Sequence, residues 1–186
     1  PSLSDIASAI TIGSFEIEER MSLSYQLLRG GKLLESGWAL NEVTIERNDH
    51  QMIDLFVQID HRPLSRWWCD AVICATPTGS TAYAYSAGGP VVWPEVDALV
   101  LLPLAAHALF TRPMVISPRS EIVIDIESES ADLNADGIRR TKLQKNDRVV
   151  LTSDKEDVLL AHIKPAAFAD RLVAKFKLPV EGWRGE

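Results

Sequence analysis

Residues 69–90 read CDAVICATPTGSTAYAYSAGGP, a stretch where polar, small and Gly/Pro residues are denser than core formation requires. Val72-Ile73-Cys74-Ala75 is a short apolar run of the kind a buried strand shows, and Thr76-Pro77-Thr78-Gly79 is turn chemistry that stops it. The spacing predicts a helix next: Ser80 or Thr81 is placed to cap it, residues 82–87 have helix-compatible composition, and Gly88-Gly89-Pro90 ends it. Amides at such a helix start, approachable because the neighbouring side chains are small, suit an anion or a polar ligand. No Gly-Lys-Ser/Thr follows, so this is not a P-loop. A strand-to-helix turn of the same composition also forms with no ligand at all.

Upstream, residues 2–10 carry apolar side chains at 3, 6, 7 and 10, a helical spacing with Ser2 or Ser4 as cap and Gly13 beyond the end. From Phe15 the period changes. Residues 21–27 alternate, Arg29-Gly30-Gly31-Lys32 is a hairpin turn, and residues 33–40 are expected to pair back antiparallel. Asn41-Glu42 interrupts an apolar context, as a polar edge or bulge does, before alternation resumes at Val43. Residues 52–59 and 64–69 form the next strand pair around Asp60-His61-Arg62-Pro63. Trp67 and Trp68 are adjacent, so one faces the core and the other a sheet surface or a subunit contact. Asp70, just before the apolar run, has the position of a turn or cap residue.

Downstream, residues 98–103 (ALVLLP) form a near-continuous apolar strand. His107 stands among Ala and Leu as a structural histidine, and Ile122, Ile124 and Ile126 share one strand face. Asn134-Ala135-Asp136-Gly137 reads as a hairpin turn with Gly137 at positive φ. Residues 148–153 and 158–163 are expected to be a last strand pair. The fold class is therefore mainly β: a layered, antiparallel, sandwich-like domain with a few short helices. Residues 166–177 close it as a helix with Phe168, Leu172, Val173 and Phe176 on one stripe.

A length of 186 residues with 46% hydrophobic composition suits one core rather than two. No run approaches membrane-spanning length, and no basic region followed by an apolar one opens the chain, so the expected location is the cytoplasm. A net charge of −7 argues against a nucleic-acid partner. Cys69 and Cys74, if on one extended segment, point to opposite faces, which disfavours a disulfide and favours reduced, buried thiols. The four histidines are scattered with no HxxxH pair, and no CxxC occurs, so a structural metal has no support.

The segment CATPTGSTAYAYSAGGPVV resembles the TPTGSTAY…GGP signature of NAD kinases, and Asn41-Glu42 matches the family's Asn-Glu/Asp motif. Further matches follow in the family's order: residues 37–43 (GWALNEV), 107–118 (HALFTRPMVISP) and 175–185 (KFKLPVEGWRG), the last similar to actinobacterial members. The family's Gly-Gly-Asp-Gly-Thr motif, which lies upstream of Asn-Glu in an N-terminal α/β domain and holds the proposed base, does not occur in these residues. The resemblance thus implies a C-terminal domain. Residues 1–14 would be a connecting helix, 15–164 the β-rich dinucleotide-binding domain, and 165–186 a helix and tail returning to the N-terminal domain.

It further implies phosphoryl transfer from ATP or polyphosphate, with Mg²⁺, to the adenosine ribose 2′-hydroxyl of NAD, giving NADP. By the same resemblance Asn41, Glu42, Asp70, Thr81, Ala82, Tyr83 and Ser86 hold NAD or NADP, with Tyr83 and the backbone near 81–82 around the adenosine. Ala71 stands where the family commonly has Gly after this Asp, a conflict if positive φ is needed there. No catalytic or metal-binding residue is expected in this chain, which on its own would be inactive, and the assembly implied is a homodimer or homotetramer. Two alternatives are a C-terminal domain of a related lipid kinase, which would need an apolar cleft, and a non-catalytic NAD(P)-binding or scaffold module.

Overall fold

Six strands pair antiparallel in one sheet and six in another, and the side chains between the sheets make the core. The structure is a computed structural model that describes residues 2–180, so the end of the matched 175–185 segment and of the expected 165–186 tail lies outside the described residues. Two compact units divide the chain: Arg20 to Val158, and the segment up to Glu19 together with the segment from Leu159 onward.

In the larger unit the first sheet runs β3 (Lys32–Ala39), β2 (Leu23–Arg29), β13 (Asp147–Ser153), β10 (Ile122–Ile126), β5 (Ile53–Ile59), β6 (Arg62–Cys69). The second runs β12 (Arg139–Gln144), β11 (Ser130–Ala135), β4 (Glu42–Glu46), β7 (Ala71–Ala75), β8 (Leu99–Leu104), β9 (Met114–Ile116). Alternation decides which residues meet: Leu23, Tyr25, Leu27, Leu55, Val57, Ile122, Ile124 and Ile126 face Val43, Ile45, Val72, Leu99, Leu101 and Leu133 across the interior. Trp67 is fully buried and Trp68 half exposed, as adjacent strand positions require; the Trp68 ring meets His107 edge-on at 5.3 Å.

The three hairpin turns expected from sequence are present, at Gly30-Gly31 with positive φ, at Asp60-His61 with φ of 51° and 61°, and at Asp136-Gly137 with φ of 54° and 64°. Three expectations need correction. Cys69 and Cys74 are both buried and free, but they do not lie on opposite faces of one segment. The chain changes sheets at Asp70, and both thiols enter the same core. The strand at 158–163, β14 (Val158–His162), does not pair with β13, because both edges of β13 are already occupied by β10 and β2; it pairs with β1 (Glu16–Arg20). The third correction concerns the helix after β7. It is only four residues long, α2 (Tyr83–Ser86), preceded by a 3-10 turn at Gly79–Thr81, and no side chain caps it. Ala71 lies within strand β7 and is not among the residues of positive φ, so it replaces a glycine there without backbone strain.

The smaller unit begins with α1 (Leu3–Ile12), where the Ser2 side chain and Asp5 form a reciprocal capping box and Gly13 closes the helix at φ 66°. Strands β1 and β14 pair, and α3 (Phe168–Phe176) buries Leu172, with Phe168 and Phe176 half-buried. Glu18 accepts two hydrogen bonds of 3.0 Å from Arg171 and lies 2.7 Å from His162 Nε2.

The intersheet core predicts a local test. Ile124→Ala, at the centre of β10, is expected to cost about 2–5 kcal/mol, read as a lowered urea midpoint with an unchanged m-value; a loss under 1 kcal/mol would place Ile124 outside the packed interior.

Candidate functional site

The Asn41-Glu42 junction, where the chain passes from β3 to β4 and so from one sheet to the other, is clamped from two sides. On one side the Thr76 amide donates to the Asn41 carbonyl at 2.9 Å and the Thr76 hydroxyl to the Leu40 carbonyl at 2.6 Å. Gly79 follows so closely that a Cβ built on it would sit 2.0 Å from the Asn41 carbonyl oxygen. On the other side the Asp136 carboxylate accepts from the amides of Leu40 (2.9 Å), Asn41 (2.7 Å) and Glu42 (3.3 Å).

Strand alternation turns Val43 and Ile45 inward and leaves Glu42, Thr44 and Glu46 on the outer face of the second sheet. Register then places Asn134 opposite Thr44 and Arg140 opposite Asn134. With Tyr83 and Gly137 these residues line a polar cleft of about 300 Å³. It abuts a second, of about 460 Å³, lined by Asn48, Asp132, Arg140 and Lys142. Arg140 lines both and bonds through Nε to the buried Asp132 at 3.0 Å. A wider cavity of about 500 Å³ lies beside Trp68 and holds none of the seven residues singled out from sequence.

Glu42 is the electrostatic centre. It is 9% exposed, and its Oε2 has no hydrogen-bond partner among the described residues. Burial first, then the negative charges of Asp136 and Glu46, push its carboxyl up to about 7, against a backbone hydrogen bond at Tyr83 that favours the charged form. The amide at the start of α2 therefore already has its anion, the Glu42 side chain. The helix that starts there is only four residues long. The Tyr83 hydroxyl titrates above its usual range through burial and the carboxylates of Glu46, Asp70 and Glu42. Of the seven residues, Glu42 and Asp70 are thus both within electrostatic reach of Tyr83.

The other four are placed differently. Asn41 is held by its backbone as described, and half-buried. The Thr81 hydroxyl donates to the Thr78 carbonyl at 3.4 Å, and the Ala82 amide to the Gly79 carbonyl at 2.8 Å, so both belong to the turn before α2. Ser86 is exposed at the end of α2 and does not line the cleft. Asp70 pairs with Arg47 Nε at 3.1 Å. The expected Ser80 cap is replaced by a tie: its buried hydroxyl donates to the Pro77 carbonyl at 2.6 Å and accepts from the Val92 amide at 2.9 Å. Residues not singled out from sequence are Thr44, Glu46, Asn134 and Arg140, together with Asp136, which sequence alone reads as a turn.

Comparison with known proteins places this architecture. Residues 40–163 match the family described as ATP-NAD kinase C-terminal domain. An NAD kinase of Thermobifida fusca is 47% identical over 190 residues, covering 98% of this chain and 58% of the relative. An NAD kinase of Corynebacterium diphtheriae is 45% identical over 188 residues, covering 99% and 59%. The crystal structure of yeast NADH kinase complexed with NADH superposes with a TM-score of 0.89 at 23% identity, covering 97% of this chain and 56% of that one, a likeness of fold. An Archaeoglobus fulgidus NAD kinase in complex with ATP gives 0.75 at 27% identity, covering 94% and 65%. The chain belongs to the NAD kinase family and corresponds to its C-terminal domain, spanning about three-fifths of the length of the curated relatives it matches.

Glu42 supplies a pH test. Its carboxyl binds a proton more tightly in the folded state, with a pKa of about 7, than in the unfolded chain. The stability this gives is fully present below about pH 4.5 and lost as pH rises through about 7. Glu42→Gln, which mimics the neutral form, is expected to remove on the order of 2–3 kcal/mol of the wild-type decline between about pH 5 and pH 8, measured by urea unfolding at both. An unchanged decline would show that Glu42 is not the titrating group.

Proposed function

We propose that this chain is the dinucleotide-binding part of an NAD kinase, which transfers a phosphoryl group to the adenosine ribose 2′-hydroxyl of NAD. Family membership supports the class of reaction, and the substrate is that of the NAD kinases it resembles. The observation that carries the reading is the buried Glu42 carboxylate, one oxygen unpartnered among the described residues, at the wall of a polar cleft beside Tyr83. A carboxylate so placed accepts sugar hydroxyls, an aromatic ring beside it packs on a base, and Asn134 offers both donor and acceptor. Glu42 and Glu46 repel phosphate, so the ribose hydroxyls turn toward these carboxylates and the diphosphate away from them.

This chain's residues bind and orient the dinucleotide: Asn41, Glu42, Asp70, Thr81, Ala82, Tyr83 and Ser86, with Tyr83 and the backbone near 81–82 around the adenosine. The general base is assigned to the family's Gly-Gly-Asp-Gly-Thr motif, so this chain by itself carries no turnover. Among the described residues no group of three or more His, Cys, Asp or Glu converges to hold a metal. The Mg²⁺ of the reaction would be carried by the phosphates of ATP or polyphosphate. We further assign the protein to the cytoplasm as a homodimer or homotetramer. Among the described residues no helix is long and apolar enough to cross a membrane. The polar lining of the cleft disfavours a lipid kinase, whose substrate needs an apolar wall.

Calorimetric titration with NADP, NAD and ATP separately tests the reading. NADP or NAD is expected to bind this chain with a Kd between about 1 μM and 1 mM, and Asn41→Ala or Asp70→Ala to abolish the heat. Absence of binding by the folded chain, or binding indifferent to both substitutions, would overturn the assignment of the site.

A further inference from the structure

We propose that Asp136 is a positioning residue: through the backbone of residues 40–42 it sets where the Asn41 and Glu42 side chains stand, and so governs dinucleotide affinity without touching the ligand. This rests on the dinucleotide reading above and adds a residue to it.

The argument starts from unpaired amides. Where the chain crosses between sheets, Leu40 and Asn41 lie outside both β3 and β4, so their N–H groups lack a ladder partner, and buried donors left unpaired are costly. Asp136 lies some 95 positions further along the chain, in the turn between β11 and β12, with φ of 54° followed by Gly137 at 64°. Two consecutive left-handed residues form the tight turn that projects its carboxylate back onto the junction. Oδ1 accepts from the Asn41 and Glu42 amides, and Oδ2 from the Leu40 amide and, at 3.2 Å, from Arg139 Nη2. The Asp136 amide in turn donates to the Glu42 carbonyl at 3.0 Å. The side chain is 11% exposed. Three consecutive amides converging on one buried carboxylate make an anion nest whose anion is built into the protein.

The turn alone does not require a carboxylate. Asn-Gly adopts the same pair of left-handed turn positions equally well, and its amide side chain would accept on one side only, setting an NH₂ against the N–H groups on the other. Arg139 supplies the counter-charge and is itself fixed, donating to the Trp38 carbonyl at 2.6 Å with its guanidinium 5.1 Å from the Trp38 ring. The groups around Glu42 are Glu46 on its own strand, Asp136 from the turn with Arg139 behind it, Arg140 from β12, and Tyr83 from α2. Loss of the Asp136 charge thus also lets the Glu42 carboxyl ionise at lower pH.

The experiment compares wild type with Asp136→Asn, and with Asp136→Gly as a second variant that keeps the positive-φ turn. Amide hydrogen exchange and carbon-detected titration of the Glu42 carboxyl are measured without ligand, then NADP affinity by calorimetry. Expected are a folded sandwich, exchange at residues 40–42 accelerated about tenfold or more relative to Ile45, a lower Glu42 midpoint, and NADP binding weakened about tenfold. Wild-type protection of these amides with an unchanged Glu42 midpoint would overturn the proposal. So would loosened amides with unchanged NADP affinity. Failure of the wild type to bind NADP would instead sink the dinucleotide reading, while the exchange and titration data would still decide whether Asp136 sets the junction.

Discussion

The contact between Gly79 and the Asn41 carbonyl is the constraint on which the site depends. Antiparallel pairing sets Glu42 opposite Ala75, so the residues just before β4 and just after β7 meet at the same end of the sheet. There the Thr76–Gly79 turn must pass against the β3–β4 junction, and only a residue with no Cβ can come this close. Once the turn is seated, the Ser80 hydroxyl ties it to Val92, and α2 begins within four residues, bringing its first amide to the Glu42 carboxylate. The density of small residues in TPTGS thus has a backbone reason as well as a ligand reason.

A second consequence is electrostatic. The junction is a meeting of backbone amides and carboxylates: Asp136 on the amides of residues 40–42, Glu42 on the amide of Tyr83, Asp70 on Arg47. Burial and the nearby charges of Asp136 and Glu46 outweigh the backbone hydrogen bond at Tyr83, and that leaves Glu42 with a carboxyl titrating at about 7 rather than one pinned as an ion. A group of this kind exchanges hydrogen bonds with hydroxyls at neutral pH at small cost, and it repels phosphate only when ionised.

What could be read from sequence followed locality. The alternation at 21–27, the Gly30-Gly31 turn, the apolar 72–75 run and the Ser2 cap each depend on neighbours a few residues away, and each is present. The misread features depend on partners far along the chain. The thiols share a core because the chain changes sheets at Asp70, and β14 finds β1 because both sides of β13 were filled by strands from elsewhere. Asp136 was hidden differently. Asp-Gly is fully explained by its hairpin, so nothing local signalled a second role 95 positions upstream. Asn134 and Arg140 could have been found: once the turn is centred on Gly137, counting outward pairs Asn134 with Arg140 on one face.

The most direct test of this account is titration of Gly79→Ala with NADP, with far-UV circular dichroism and thermal unfolding as controls on the sandwich. The added methyl group must displace the Asn41 carbonyl, moving the junction while leaving the intersheet core in place. The account predicts a folded protein whose NADP affinity falls by about tenfold or more. A folded variant that binds NADP as tightly as the wild type would contradict it, because the clamp on Asn41-Glu42 would then be unrelated to ligand recognition.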